Sequence, residues 1–201
     1  FLKTHSYLFN TENNPFTNLE NSLGAIYIVR DPRNVVLSYA NHNSKSQKES
    51  AEDLIKGRSL GEDNQDQVKV YPGTWAGNYN SWKSFKSVNK YLLVKYEDII
   101  KDKEKSFYEI LKFIYFLKKV DFNLDKKKLQ NVIDSTNFER MQELEKTNGF
   151  DESMKDKMTG EKIKFFNQGK KRNWKNSLDE NIKNQIEKTF KKEMLELSYL
   201  K

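Results

Sequence analysis

The chain has 201 residues, 36% hydrophobic and 13% aromatic, with 36 Lys+Arg against 29 Asp+Glu for a net charge of +7; this suffices for one globular domain and excludes a disordered chain. With no cysteine there is no disulfide, thiolate nucleophile or Cys-based zinc site. No apolar run approaches the ~20 residues of a membrane span, so the expectation is a cytoplasmic protein without stable membrane insertion, whose basic balance favours an anionic partner.

Phe1–His5 reads as the tail of a strand entering a loop, and residues 10–22 are turn-rich. Ala25-Ile26-Tyr27-Ile28-Val29 is a continuous apolar run, the pattern of a strand buried on both faces of a parallel sheet. Asp31-Pro32 ends it and starts a helix, with Asp31 as N-cap and Pro32 in the first turn. Residues 43–70 read as a polar surface excursion with a short helix around Ala51–Ile55. A helix then runs from Pro72-Gly73 to about Val88, and Tyr91-Leu92-Leu93-Val94 forms a second buried strand.

Phe107, Ile110, Leu111 and Ile114 share one helix face. Further helices are expected near 125–134, 137–146 and 180–197, the last with Ile182, Ile186, Phe190 and Met194 in one stripe. Residues 147–163 lack periodicity and read as a flexible loop. Strands alternating with helices predict an α/β domain with a parallel sheet, and one domain is expected over 1–201.

The most informative segment is Tyr27-Ile28-Val29-Arg30-Asp31-Pro32-Arg33-Asn34-Val35-Val36-Leu37-Ser38-Tyr39. A strand, a tight turn and a helix N-terminus offer free N–H groups and partial positive charge to an anion. Arg30 adds a bidentate donor at the strand end, and Ser38 one hydroxyl two turns on. The plain alternative is an ordinary strand-to-helix turn with a surface arginine.

This segment resembles the 3′-phosphate-binding segment of the cytosolic-type sulfotransferases that use 3′-phosphoadenosine 5′-phosphosulfate (PAPS). The resemblance implies that Arg30 and Ser38 hold the cofactor's 3′-phosphate, and it implies a P-loop NTPase-like fold. Lys3-Thr4-His5 resembles the family's Lys-Thr-His, one strand earlier. By that resemblance His5 is the general base for the acceptor and Lys3 neutralises charge around the moving sulfuryl group. Imidazole suits proton exchange near pH 7.

Tyr71-Pro72-Gly73-Thr74-Trp75 through Ser81-Trp82 is similar to a structural aromatic helix of the family. Lys95-Tyr96-Glu97-Asp98 and Ser135-Thr136-Asn137-Phe138 are similar to segments whose Tyr, Thr and Phe approach the adenine, here Tyr96, Thr136 and Phe138. The family's Arg-Lys-Gly, which wraps the 3′-phosphate, is matched only in part by Asn167-Gln168-Gly169. Two cations are lost there, and Lys170, Lys171 and Arg172 follow closely enough to supply the charge.

The family's phosphosulfate loop, Pro-Lys-Ser-Gly-(Thr/Asn)-Thr-Trp, is not found in these residues. A strand–loop–helix of roughly 30 residues would carry it, so the chain is expected to represent about four fifths of a whole enzyme and to be incomplete alone. The expected activity is sulfuryl transfer from PAPS to an acceptor hydroxyl or amine on a small molecule, glycan or lipid, with no metal. The alternative is an inactive nucleotide-binding or scaffold protein of the same fold. A nucleic-acid partner is disfavoured because the lysines are scattered among acids, as in 101–105 and 187–193.

Overall fold

The computed structural model describes residues 1–60, 69–156, 158–167, 169 and 173–201. Its central element is a parallel pair, β3 (Ala25–Val29) beside β6 (Tyr91–Lys95), in register from Ala25↔Tyr91 to Val29↔Lys95. Two minor antiparallel pairs flank it: β1 (Asn10–Thr11) with β2 (Asn14–Pro15), and β4 (Arg58–Leu60) with β5 (Val70–Gly73). Helix α1 (Pro32–His42) leaves the carboxyl end of β3, and α2 (Gln47–Lys56) follows with a capping box from Ser46 and Glu49. Then come α3 (Trp75–Trp82), α4 (Tyr96–Lys101) at the end of β6, α5 (Lys103–Lys118), α6 (Lys126–Ser135) and α7 (Phe138–Asn148). The chain closes with α8 (Trp174–Ser177), α9 (Glu180–Thr189) and α10 (Lys191–Glu196).

The core lies where α1, α2, α3, α9 and α10 meet the β3–β6 pair, with Val29, Val36, Leu54, Trp75, Tyr79, Ile186, Phe190, Met194 and Leu197 buried together. Full burial of one such large apolar side chain contributes about 1.5–3 kcal/mol. This is the α/β arrangement that the alternation of strands and helices predicts.

Five local expectations are corrected. Phe1–His5 is not a strand: the segment is irregular, and just beyond it Tyr7 N–H donates to Tyr71 O at 2.8 Å. β3 is not buried on both faces, since its hydrogen-bonded neighbour is β6 and Ile28 is 56% exposed. The helix after Gly73 does not run through Val88 as one piece. α3 ends at Trp82, and Lys83–Val88 tighten into a 3₁₀ helix that closes on left-handed Asn89. The 180–197 helix is interrupted at Phe190, whose ψ of 21° departs from helix geometry as its ring packs 5.2 Å from Trp75. Within 147–163 a small turn is ordered by Asp156 N–H to Glu161 O (2.8 Å) and Ile163 N–H to Met154 O (2.8 Å).

Candidate nucleotide and proton-transfer site

The parallel register places Val29 opposite Lys95, so the next residues, Arg30 and Tyr96, emerge side by side at the carboxyl edge of the sheet. Open α/β sheets bind ligands at that edge. The Arg30 guanidinium lies 4.5 Å from the centroid of the Tyr96 ring, a cation–π contact. Its Nε is buried with no hydrogen-bond partner among the described residues, and its carbonyl accepts from Trp75 Nε1 at 3.2 Å.

The neighbouring arginine does something different. Arg33 is 5% exposed and donates to both Asp31 carboxylate oxygens, with Nη2 at 2.7 Å. It also donates to Glu187 Oε1 at 2.5 Å and to Tyr199 O at 2.9 Å, and its guanidinium lies 3.8 Å from the Trp174 ring centroid. Burial works against its charge, but the bonds to Asp31 and Glu187 outweigh this and its pKa is raised. Arg33 therefore ties the start of α1 to the C-terminal helices.

The first turn of α1 is not an open anion site, and this corrects the sequence argument. Asp31 N–H donates to Glu97 Oε1 (3.1 Å), Arg33 N–H to Asp31 Oδ1 (3.0 Å) and Asn34 N–H to Asp31 O (3.0 Å), while Pro32 has no N–H. What faces a ligand here must be side chains. Glu97 also accepts from the Tyr199 hydroxyl at 2.9 Å, so it joins the turn after β3 to the helix that carries Tyr96.

Asn34, Ser38 and Asn41 follow one another along α1 at i, i+4 and i+7 and share a face. Asn34 Oδ1 accepts from Trp174 N–H at 3.0 Å, and Asn41 Oδ1 accepts from Asn167 Nδ2 at 2.7 Å. Ser38 sits between these two anchors, and its hydroxyl makes no hydrogen bond among the described residues. The stretch 167–174 thus returns to α1 at both ends. Lys170, Lys171 and Arg172 fall within it and lie outside the described residues, as does Gln168.

Gly169 has φ +51°, and a Cβ there would stand 2.7 Å from Phe138 Cζ, so the close approach requires glycine. Helix α7 holds this stretch from one face: Gln142 Nε2 donates to Phe166 O (2.7 Å) and Asn167 O (3.0 Å), and Glu145 accepts from the N–H groups of Phe165 and Phe166. Thr136, just before the Asn137 cap of α7, gives its hydroxyl to Val132 O at 2.7 Å, while Lys103 Nζ holds its carbonyl at 2.7 Å.

Lys3 and His5 lie on the irregular N-terminal segment. Lys3 Nζ pairs with Glu152 at 3.0 Å, both side chains more than half exposed; such a pair contributes about 0–1 kcal/mol and opens easily. The His5 carbonyl accepts from Asn78 Nδ2 at 3.0 Å. Partial desolvation, then the Lys3 charge, lower the imidazole pKa below its ordinary 6.5, with Glu152 opposing. Helix α3 touches both halves of the site, since Trp75 holds Arg30 O and Asn78 holds His5 O.

The structure thus brings Arg30 to Tyr96 and Gly169 to Phe138, places Ser38 between the 167–174 anchors, and links His5 to Arg30 through α3. Sequence reading missed Arg33, Asn78, Glu97 and the Asn34/Asn41 pair. Arg33, Asn34 and Glu97 stood inside the quoted segments without a role, and Asn78 only shares a helix face with Trp75, three residues earlier.

Arg30 stacked on Tyr96 at the carboxyl edge of the sheet, with Gly169 packed against Phe138, thus sets polar and aromatic side chains where open α/β sheets bind ligands. The sulfotransferase-domain family profile matches residues 1–198, and the chain belongs to that family. Mouse sulfotransferase 2A6 is 28% identical over 178 residues, covering 85% of this chain and 56% of the relative. Human sulfotransferase 1C2 is 30% identical over 156 residues, covering 73% and 46%. The chain thus spans about half the length of these curated relatives, less than the four fifths expected.

The crystal structure of mouse sulfotransferase SULT7A1 complexed with PAP superposes with a TM-score of 0.61 at 22% identity, covering 92% of this chain and 64% of that one. Retinol dehydratase in complex with retinol and PAP superposes at 0.57 and 21% identity, covering 85% and 47%. These two likenesses support the fold. Among the described residues no helix is long and apolar enough to cross a membrane, and no group of three or more His, Asp or Glu is placed to hold a metal ion.

Proposed function

We propose that these residues form one sulfotransferase-type domain that binds PAPS and promotes sulfuryl transfer to an acceptor hydroxyl or amine on a small molecule, glycan or lipid. The observation that carries the reading is Arg30. A buried guanidinium nitrogen without a partner among the described residues, beside an aromatic ring, fits an anionic group joined to a flat base. In this reading Arg30 and Ser38 hold the 3′-phosphate, and Tyr96, Phe138 and Thr136 border the adenine. Gly169 lets the return loop approach, and Lys170, Lys171 and Arg172 supply the charge missing at Asn167-Gln168.

PAPS would contribute the activated sulfuryl group. The chain's own work is positioning and charge stabilisation. His5, neutral near pH 7 because its pKa is lowered, accepts the acceptor's proton at an imidazole nitrogen. Lys3, released from its exposed pair with Glu152, offers positive charge near the transferred group.

The test has two arms. Calorimetry with adenosine 3′,5′-bisphosphate on the 201-residue protein measures the nucleotide half. Transfer from labelled PAPS to phenols, sugars and amines is measured on the same residues preceded by a strand–loop–helix bearing the family's phosphosulfate loop. Binding in the first arm and turnover in the second, lost in His5→Ala, are expected. Binding without turnover in any acceptor would favour the inactive nucleotide-binding alternative.

A further inference from the structure

We infer that Asn78 is the positioning residue for His5, fixing the base through its backbone. The inference rests on the reading of His5 as proton acceptor. His5 belongs to a segment with no regular secondary structure, and among the described residues its ring makes no hydrogen bond, so its aim depends on where its main chain is held. Asn78 Nδ2 donates to His5 O (3.0 Å) and to Pro72 O (2.8 Å), and Asn78 Oδ1 accepts from the Tyr27 hydroxyl (3.0 Å). Three elements, the N-terminal segment, β5 and β3, therefore converge on one side-chain amide.

The chemistry of the three partners fixes the residue type. Two are carbonyls, which only accept, and the third is the half-buried Tyr27 hydroxyl, which desolvation keeps protonated and which donates to Asn78 Oδ1. Only a group with two N–H donors and one acceptor fits all three, and among side chains of this length that is asparagine. Aspartate has the same shape and no donor.

Neighbouring bonds hold the following residues but leave His5 itself to Asn78. Trp82 Nε1 donates to Ser6 O at 3.1 Å, and Ser81 Oγ accepts from Leu8 N–H at 2.9 Å while donating to Asn78 O at 2.8 Å. The charges beside His5 are Lys3 and Glu152, neither of which anchors its backbone.

The chain contains two histidines, His5 and His42, so the imidazole NMR spectrum gives one signal set to follow and one internal control. In Asn78→Ala the His5 titration should move up toward 6.5 as the ring is freed into solvent, with His42 unmoved. In the loop-bearing form, Asn78→Asp should lower kcat on the order of 10²-fold, as expected for a reacting group displaced by about an ångström. The affinity for adenosine 3′,5′-bisphosphate should stay within about twofold, because Arg30 is untouched.

Should Asn78→Ala fail to fold, Tyr27→Phe removes the hydroxyl that decides which end of the amide faces His5, and a smaller upward shift is expected. An unmoved His5 titration in the folded variant overturns the inference. So does a fall in kcat matched by an equal fall in nucleotide affinity, since a merely structural stitch loosens both. His5→Ala separates the two failures: transfer that survives it removes His5 as the base, whereas an unmoved titration removes only the anchor.

Discussion

The guanidinium of Arg30 stands 4.5 Å from the centre of the Tyr96 ring, yet among the described residues its Nε finds no hydrogen-bond partner. Buried donors are nearly always satisfied, and this one lies at the sheet edge where a ligand would bind. Arg30→Ala should therefore cost about 1.5–3 kcal/mol of bisphosphate affinity and leave the melting temperature of the free protein nearly unchanged. Calorimetry and thermal unfolding on the same samples check both halves, and unaltered affinity would sink the assignment.

Arg33 should behave in the opposite way. Arg33→Met leaves Asp31 and Glu187 facing each other without their cation, and breaking a buried pair of this kind costs about 3–5 kcal/mol. The urea midpoint of the free protein should fall sharply. A variant that unfolds like the wild type would show that Arg33 does not clamp α1 to the C-terminal helices.

Gly169→Ala places a methyl group 2.7 Å from Phe138 Cζ in a left-handed backbone conformation, at a conformational cost of about 1–2 kcal/mol before any clash. Bisphosphate binding should weaken. Adding Phe138→Leu should recover part of the loss by making room, and a double-mutant cycle measures the coupling. Simple additivity of the two changes would mean that the contact does not shape the loop.

Replacing Lys170, Lys171 and Arg172 with alanine should weaken adenosine 3′,5′-bisphosphate much more than adenosine 5′-phosphate, which lacks the 3′-phosphate. The argument is the charge lost at Asn167-Gln168. Equal weakening of both ligands would mark the run as a solvated face.

His5 sets a pH prediction. Its folded pKa lies below 6.5, so the unprotonated base predominates at neutral pH and is lost only as pH falls through that lowered value. In the loop-bearing form, kcat/KM should fall on an acidic limb whose midpoint lies below 6.5. An acidic limb centred above 6.5 would mean that the environment of His5 is not the one described.

The strand-turn-helix of Tyr27–Tyr39 was legible because its period, its Asp-Pro stop and its polar residues are all local. The division of labour between its two arginines was not. Arg33 finds Glu187, Trp174 and Tyr199 more than a hundred positions away, and no local pattern encodes such partners. The helix N-terminus misled for a similar reason, since its N–H groups are taken partly by Glu97 from another strand's end. Ile28 read as buried because apolar composition records what a strand can bury, while its 56% exposure depends on which neighbours are present. Asn78 looked like a polar helix residue among others until three chain segments met on its amide.

The chain has three tryptophans, and each touches a different part of the candidate site's frame. Trp75 Nε1 holds the carbonyl of Arg30, Trp82 Nε1 holds that of Ser6 next to His5, and Trp174 lies under Arg33 with its own N–H on Asn34. The fold has thereby wired an optical readout into the region where nucleotide and acceptor would meet. Indole emission responds to local polarity, so single-tryptophan versions of the protein would let the phosphate edge, the histidine segment and the return loop be watched separately as each ligand arrives.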